Sequence, residues 1–179
     1  FTHFVEHFHE LASMRFGIIG LGNIGRKVAQ IASAFGADVV YYSASHQPPQ
    51  EGYHQVDLDT LLATSDIISI HAPLTVHTQG LINSAALEKM KPSAILLNLG
   101  RGPIVVETDL ANALKKGTIA AAGLDVLSQE PMTDDNPLLS IKDSKKLLIT
   151  PHVAWAAIEA RTRLMEIIYG QIKDFFSIS

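Results

Sequence analysis

Phe16-Gly17-Ile18-Ile19-Gly20-Leu21-Gly22-Asn23-Ile24-Gly25-Arg26-Lys27-Val28 joins three kinds of local pattern within thirteen residues. The apolar run 16–19 meets a glycine-spaced turn, and the turn passes directly into helical spacing at Ile24, Val28, Ile31, Ala32 and Phe35. Gly36 stands where that helix should stop. A bare G-x-G-x-x-G string carries little weight, but between a strand and a helix each glycine has a physical task. Gly20 permits the tight turn, Gly22 leaves the backbone open to a pyrophosphate, and Gly25 lets helix and strand pack closely. The start of the helix then offers unpaired N–H groups and the positive end of its dipole to phosphate.

The alternation continues along the chain. Apolar runs recur at 38–42, 67–71, 94–99, 119–126 and 147–150, without the polar–apolar alternation of a half-exposed strand. Such runs suit strands buried on both faces of a parallel sheet. Helical patterns fall between and after them, at 58–62, 84–90, 107–116 and 156–176. The fourth helix opens with Glu107 and Asp109 and closes with Lys115, Lys116 and Gly117, an order that suits the helix dipole and a glycine stop. The chain is therefore expected to be α/β: an entry segment over 1–15, then one dinucleotide-binding domain over 16–179, a doubly wound parallel sheet ending in a long helix.

Composition narrows the function. With 179 residues, 47% of them hydrophobic, the chain can bury a core without staples. A net charge of −4 argues against binding nucleic acid by charge. The absence of cysteine excludes disulfides, a thiol nucleophile and cysteine-ligated metal, and it fits a cytoplasmic location. No apolar run approaches the roughly 20 residues that span a bilayer, so no membrane contact is expected. His3-Phe4-Val5-Glu6-His7 matches a zinc-peptidase string, but it lies outside the sheet pattern with no third ligand near it, and no metal is expected.

Ionisable residues gather just beyond the carboxyl ends of the expected strands. They are Arg101 after 94–99, Asp125 and Glu130 after the fifth run, and His152 after the sixth. Each alone could be a solvated or capping residue, but ligands of such sheets bind at these strand ends. Together they suit hydride exchange with a 2-keto acid. Arg offers a planar fork for the carboxylate, His a proton for the carbonyl oxygen, and Glu130 a partner that orients the imidazole. The tip of the second strand, where an acid normally holds the adenosine ribose, carries Ser43; Asp38 lies at the opposite end. No arginine stands at that tip to attract a 2′-phosphate. NAD is therefore the expected cofactor, with NADP as the alternative. His71 and Pro73 close the third run, where backbone contact with the cofactor is expected. Trp155 suits either a core or a site position.

The segments GLGNIG (20–25), SIHAPLT (69–75), LNLGRGPIV (97–105), AAGLDVLSQEP (121–131) and ITPHVAW (149–155), in this order, resemble the coenzyme domain of the D-isomer-specific 2-hydroxyacid dehydrogenases over residues 10–176. The resemblance implies a catalytic set of Arg101, Glu130 and His152. Arg101 would hold the substrate carboxylate, His152 would be the acid/base and Glu130 its partner. Asp125 would bond the nicotinamide carboxamide, and Asn23, Ile24, Ala72, Pro73, Leu99, Gly100 and Ala154 would line the cofactor beside the glycines and Ser43, which replaces the usual acid. Glu130 in place of glutamine speaks against the formate dehydrogenases, and His152–Trp155 resembles the glycerate dehydrogenase/hydroxypyruvate reductase branch. The resemblance also implies a homodimer, a small 2-hydroxy or 2-keto acid substrate and a separate substrate domain, expected to be absent from this chain. By itself the chain is thus expected to bind cofactor with little turnover. Corepressors of the same family supply the second reading, a dinucleotide-sensing module.

Overall fold

The computed structural model describes residues 9–45, 49–143 and 145–176, so the histidine-rich string at 3–7 lies outside the described residues. The elements run β1 (Arg15–Ile19), α1 (Asn23–Ala34), β2 (Asp38–Tyr42), β3 (His54–Gln55), α2 (Leu58–Thr64), β4 (Ile67–Ile70), α3 (Ser84–Lys89), β5 (Ile95–Asn98), α4 (Glu107–Lys116), β6 (Ala121–Leu124), β7 (Leu147–Ile149) and α5 (Ile158–Phe176). All strand pairs are parallel, and the order across the sheet is β3-β2-β1-β4-β5-β6-β7. This is the expected doubly wound sheet of the Rossmann type. The two-residue β3 is the strand that patterning does not reach, because two residues cannot display a period.

Successive side chains of a strand point to opposite faces, and the core divides accordingly. Ile19, Ile68, Ile70 and Leu96 pack with Leu61 and Leu62 of α2, Leu87 of α3, and Leu110 and Leu114 of α4. Their sequence neighbours Ile18 and Ile67 join Phe16 and Tyr41 on the other face, against Ala29 and Ala32 of α1. Small alanines let α1 lie close to the sheet. Asp57 caps α2 by accepting from the Thr60 N–H, and Asn83 caps α3 by accepting from the Ala86 N–H. α4 ends on Gly117 in the left-handed conformation, as its charge order and glycine predict. α5 begins two residues later than expected and contributes no buried residue. Trp155, 55% exposed, does not join the core. Among the described residues no helix is long and apolar enough to cross a membrane.

The strand order reverses between β1 and β4, which lie side by side although β2 and β3 separate them in sequence. Every loop that follows β1, β4, β5, β6 and β7 therefore emerges at one edge of the sheet. Leu110 is fully buried in the larger core, so Leu110→Ala is expected to cost about 2–5 kcal/mol. Urea denaturation of the two proteins checks this by a lowered midpoint.

Candidate active site

The turn after β1 shows why its residues are glycines. Gly20 has φ +95°, and a Cβ there would stand 2.7 Å from the backbone of Ala72 beyond β4. A Cβ on Gly25 would stand 2.2 Å from the Gly20 carbonyl oxygen. A Cβ on Gly22 would meet nothing within 4 Å, so this residue faces open space. Gly22 is also the N-cap of α1 and supplies no side-chain acceptor, unlike the caps of α2 and α3. The first N–H groups of α1 are thus left to a ligand or water. A cavity of about 440 Å³ lies at this point. The open Gly22 face and the uncapped helix start fit the pyrophosphate of a dinucleotide.

Of the expected cofactor residues, Gly20, Gly22, Ser43, Ala72 and Pro73 line this cavity. Asn23, Ile24, Gly25, Leu99, Gly100 and Ala154 do not line it. Arg26, Gln50, Thr75 and Thr78 line it without having been anticipated. No arginine stands in the β2 tip itself, but Arg26, in the first turns of α1, lines the same cavity as Ser43 and Ser45. His71 also lines the cavity. Its Nε2 pairs with the Ser69 hydroxyl at 2.9 Å while Nδ1 has no partner among the described residues, and burial pushes its pKa down.

The loops after β5, β6 and β7 form the other half of the edge. Asn98, fully buried at the end of β5, accepts from the Gly100 N–H and donates to the Arg101 carbonyl, folding the turn that carries Arg101. The Arg101 guanidinium donates to the Gly100 carbonyl at 2.7 Å. A Cβ on the next residue, Gly102, would stand 1.9 Å from the Leu127 carbonyl carbon and oxygen, so the Arg101 turn lies directly against the loop after β6. That loop is pinned from α4: Glu107 accepts from the Ser128 N–H at 2.6 Å and from the Asn136 amide at 2.8 Å.

Asp125 begins the same loop and is 6% exposed. Its carboxylate accepts from the Thr150 hydroxyl and from the N–H groups of Val153 (2.9 Å) and Ala154 (2.8 Å), which ties the loop after β6 to the loop after β7. Burial pushes the Asp125 carboxyl up, but the Thr150 hydroxyl, the Ala154 and Val153 N–H groups and nearby His152 together hold it below its ordinary 3.8. His152 sits in this tied loop with φ +52°, the one non-glycine residue with positive φ among those described. Its Nδ1–H donates to Glu130 at 2.7 Å, which leaves Nε2 as the free ring nitrogen. The bond from His152, then that from the Leu127 N–H, holds the Glu130 carboxyl below its ordinary 4.5. A cavity of about 610 Å³ opens beside the pair, between Leu127, Met132 and Ile149. His152, Glu130 and Asp125 line it and Arg101 does not, although the Arg101 turn packs against the same loop. Among the described residues no group of three His, Cys, Asp or Glu could hold a metal ion.

Comparison with known proteins agrees with this architecture. The family described as D-isomer specific 2-hydroxyacid dehydrogenase, NAD binding domain, matches residues 2–154. A hydroxypyruvate reductase of Blautia hydrogenotrophica is 46% identical over 168 residues, 93% of this chain and 51% of that protein. A glycerate dehydrogenase of Methylorubrum extorquens is 44% identical over 97% of this chain and 52% of its own length. Among solved structures, an acyclic imino acid reductase in complex with NADPH and D-Arg superposes with a TM-score of 0.88 at 34% identity, covering 99% of this chain and 56% of that one. A D-lactate dehydrogenase of Aquifex aeolicus complexed with NAD and lactic acid gives 0.86 at 30% identity, covering 94% and 55%. The chain spans about half the length of the curated relatives it matches.

The two depressed carboxyls set a sign for acid stability. Their contribution is fully present above the ordinary values of 3.8 and 4.5 and is lost as pH falls through the lower folded-state values, because the unfolded chain takes up these protons first. Asp125→Asn is expected to cost about 1–3 kcal/mol at neutral pH and to flatten the fall in stability below the ordinary carboxylate range. Urea denaturation across pH 3–7 checks both.

Proposed function

The chain belongs to the D-isomer specific 2-hydroxyacid dehydrogenase family as its NAD-binding domain, and on that premise we propose that it is the coenzyme half of an NAD(P)-linked reductase of small 2-keto acids, with oxidation of D-2-hydroxy acids as the reverse reaction. The observation that carries the reading is the His152–Glu130 pair, held at 2.7 Å beside the strand-end edge. When bound, the nicotinamide supplies or accepts the hydride. Gly20, Gly22, Ser43, Ala72 and Pro73 would hold the dinucleotide along the glycine turn, and Asp125 and Ala154, in the tied loops, would hold its nicotinamide. Leu99, Gly100, Asn23, Ile24 and Gly25 shape the edge around it.

His152 moves the proton. In reduction its Nε2–H is given to the carbonyl oxygen, and in oxidation Nε2 takes the proton from the hydroxyl. Glu130 keeps Nδ1 protonated and stabilises the imidazolium. Asp125 acts earlier in the chain of cause, by fixing the loop in which His152 holds its unusual backbone angle. Arg101 leaves the Gly100 carbonyl to grip the substrate carboxylate with its planar fork. The names of the hydroxypyruvate reductase and glycerate dehydrogenase relatives favour hydroxypyruvate as the substrate over pyruvate. They do not favour the dinucleotide-sensing corepressor reading. We further propose a cytoplasmic homodimer that binds neither membrane nor nucleic acid. The exposed apolar side chains Ile24, Ile31 and Phe35 along α1 support the pairing, and the net charge of −4 supports the last point.

Oxidation of NADH and NADPH with hydroxypyruvate, glyoxylate and pyruvate, measured on the complete protein, tests the assignment. His152→Asn is expected to lower kcat about 10²–10⁴-fold. Unchanged turnover in that variant defeats the acid/base role, and absence of turnover with dinucleotide bound favours the sensing module. The 179-residue chain alone is expected to bind dinucleotide with little turnover, since closure around the substrate excludes water from the hydride path.

A further inference from the structure

We infer that Arg26, together with the paired hydroxyls of Ser43 and Ser45, forms an anion subsite for the 2′-phosphate of NADP, and that the chain binds NADP more tightly than NAD. The inference rests on the reading of the glycine-turn cavity as the dinucleotide cleft. It begins with placement. Tyr42, the last residue of β2, pairs with Ile19 of β1, and its carbonyl accepts from the Gly20 N–H at 2.9 Å. Ser43 therefore emerges directly beside the glycine turn, where the adenosine ribose lies in a doubly wound dinucleotide fold. An acid at this tip accepts from the ribose hydroxyls and repels a 2′-phosphate. Here the tip carries two hydroxyls instead, with the oxygens of Ser43 and Ser45 2.9 Å apart.

The second element is charge. Arg26 lines the same cavity as Ser43 and Ser45, and among the described residues no carboxylate lines it. Among the described residues Arg26 makes no ion pair. Its guanidinium donates to the side-chain carbonyls of Gln50, at 3.1 Å, and of Asn23. Both acceptors are neutral amides, so they orient the guanidinium without cancelling its charge.

The third is preorganisation. Gln50 donates its amide to the Leu21 carbonyl at 2.9 Å and its backbone N–H to the Tyr41 hydroxyl at 2.8 Å. Tyr41 is buried and donates onward to Gln55 at 3.0 Å. A chain of neutral hydrogen bonds thus roots the guanidinium in the sheet and the glycine turn. Two of its five N–H groups are used by the amides, and the rest remain for phosphate oxygens.

Calorimetric titration of the chain with NADP, NAD, 2′,5′-ADP and 5′-AMP tests this directly. The expected result is a Kd at least about tenfold lower for each 2′-phosphorylated ligand than for its partner at low salt, in keeping with charge-assisted hydrogen bonds. The ratio should shrink as salt is raised. Arg26→Gln should bring the ratio close to one, with folding checked by circular dichroism. Ser43→Asp, which leaves the guanidinium in place, should invert the preference. Equal or tighter binding of NAD and 5′-AMP by the unmodified chain overturns the inference while leaving the cleft intact, as does an unchanged ratio in Arg26→Gln. Failure of all four ligands to bind overturns the cleft assignment itself.

Discussion

Two buried polar side chains at the carboxyl ends of β5 and β6 organise the working edge of this protein. Asn98 and Asp125 sit one register step apart, joined through the Asp125 N–H and the Asn98 carbonyl at 3.0 Å. Each spends its side chain on the backbone of a loop: Asn98 on Gly100 and Arg101, Asp125 on Val153 and Ala154. Burying such groups is costly unless every lone pair and N–H finds a partner, and here the partners are the loop amides themselves. The guanidinium turn and the histidine loop are therefore defined by the same interior that holds the sheet together. Glu107 adds a third anchor from α4.

Much of this was legible in the sequence, for identifiable reasons. Six of the seven strands and all five helices announce themselves through apolar period, and Gly36 and Gly117 both stop their helices with positive φ. Such signals are local and need no knowledge of the fold. The resemblance pointed to Arg101, Glu130 and His152 together, and the structure joins the last two directly while Arg101 packs in the adjoining turn. What could not be read were interactions between segments without a shared period. Gln50 reaches Arg26 and Leu21 from a loop whose spacing predicts nothing. Arg26 looks like one more polar residue on the outside of a helix until β2 is placed beside β1. Asp125 is similar: its position suggests a ligand contact, yet its carboxylate is occupied first by the loop that carries His152.

The division of labour along the edge follows from topology. The switch between β1 and β4 opens the glycine-turn half, where Gly20 and Gly25 allow close backbone approach and Gly22 faces open space. The β5–β7 half is built from charged and amide groups that hold one another in position. A single sheet can serve both needs because parallel strands bring all their carboxyl ends to one side.

The bare amino end of α1 carries a thermodynamic corollary. α2 and α3 each receive a side-chain cap from within the chain, whereas α1 receives none. A ligand held only by the native form raises its stability by mass action, about 2.7 kcal/mol at a hundredfold excess over Kd. A coenzyme bound only by the native form would therefore raise the melting temperature as its free concentration climbs above Kd.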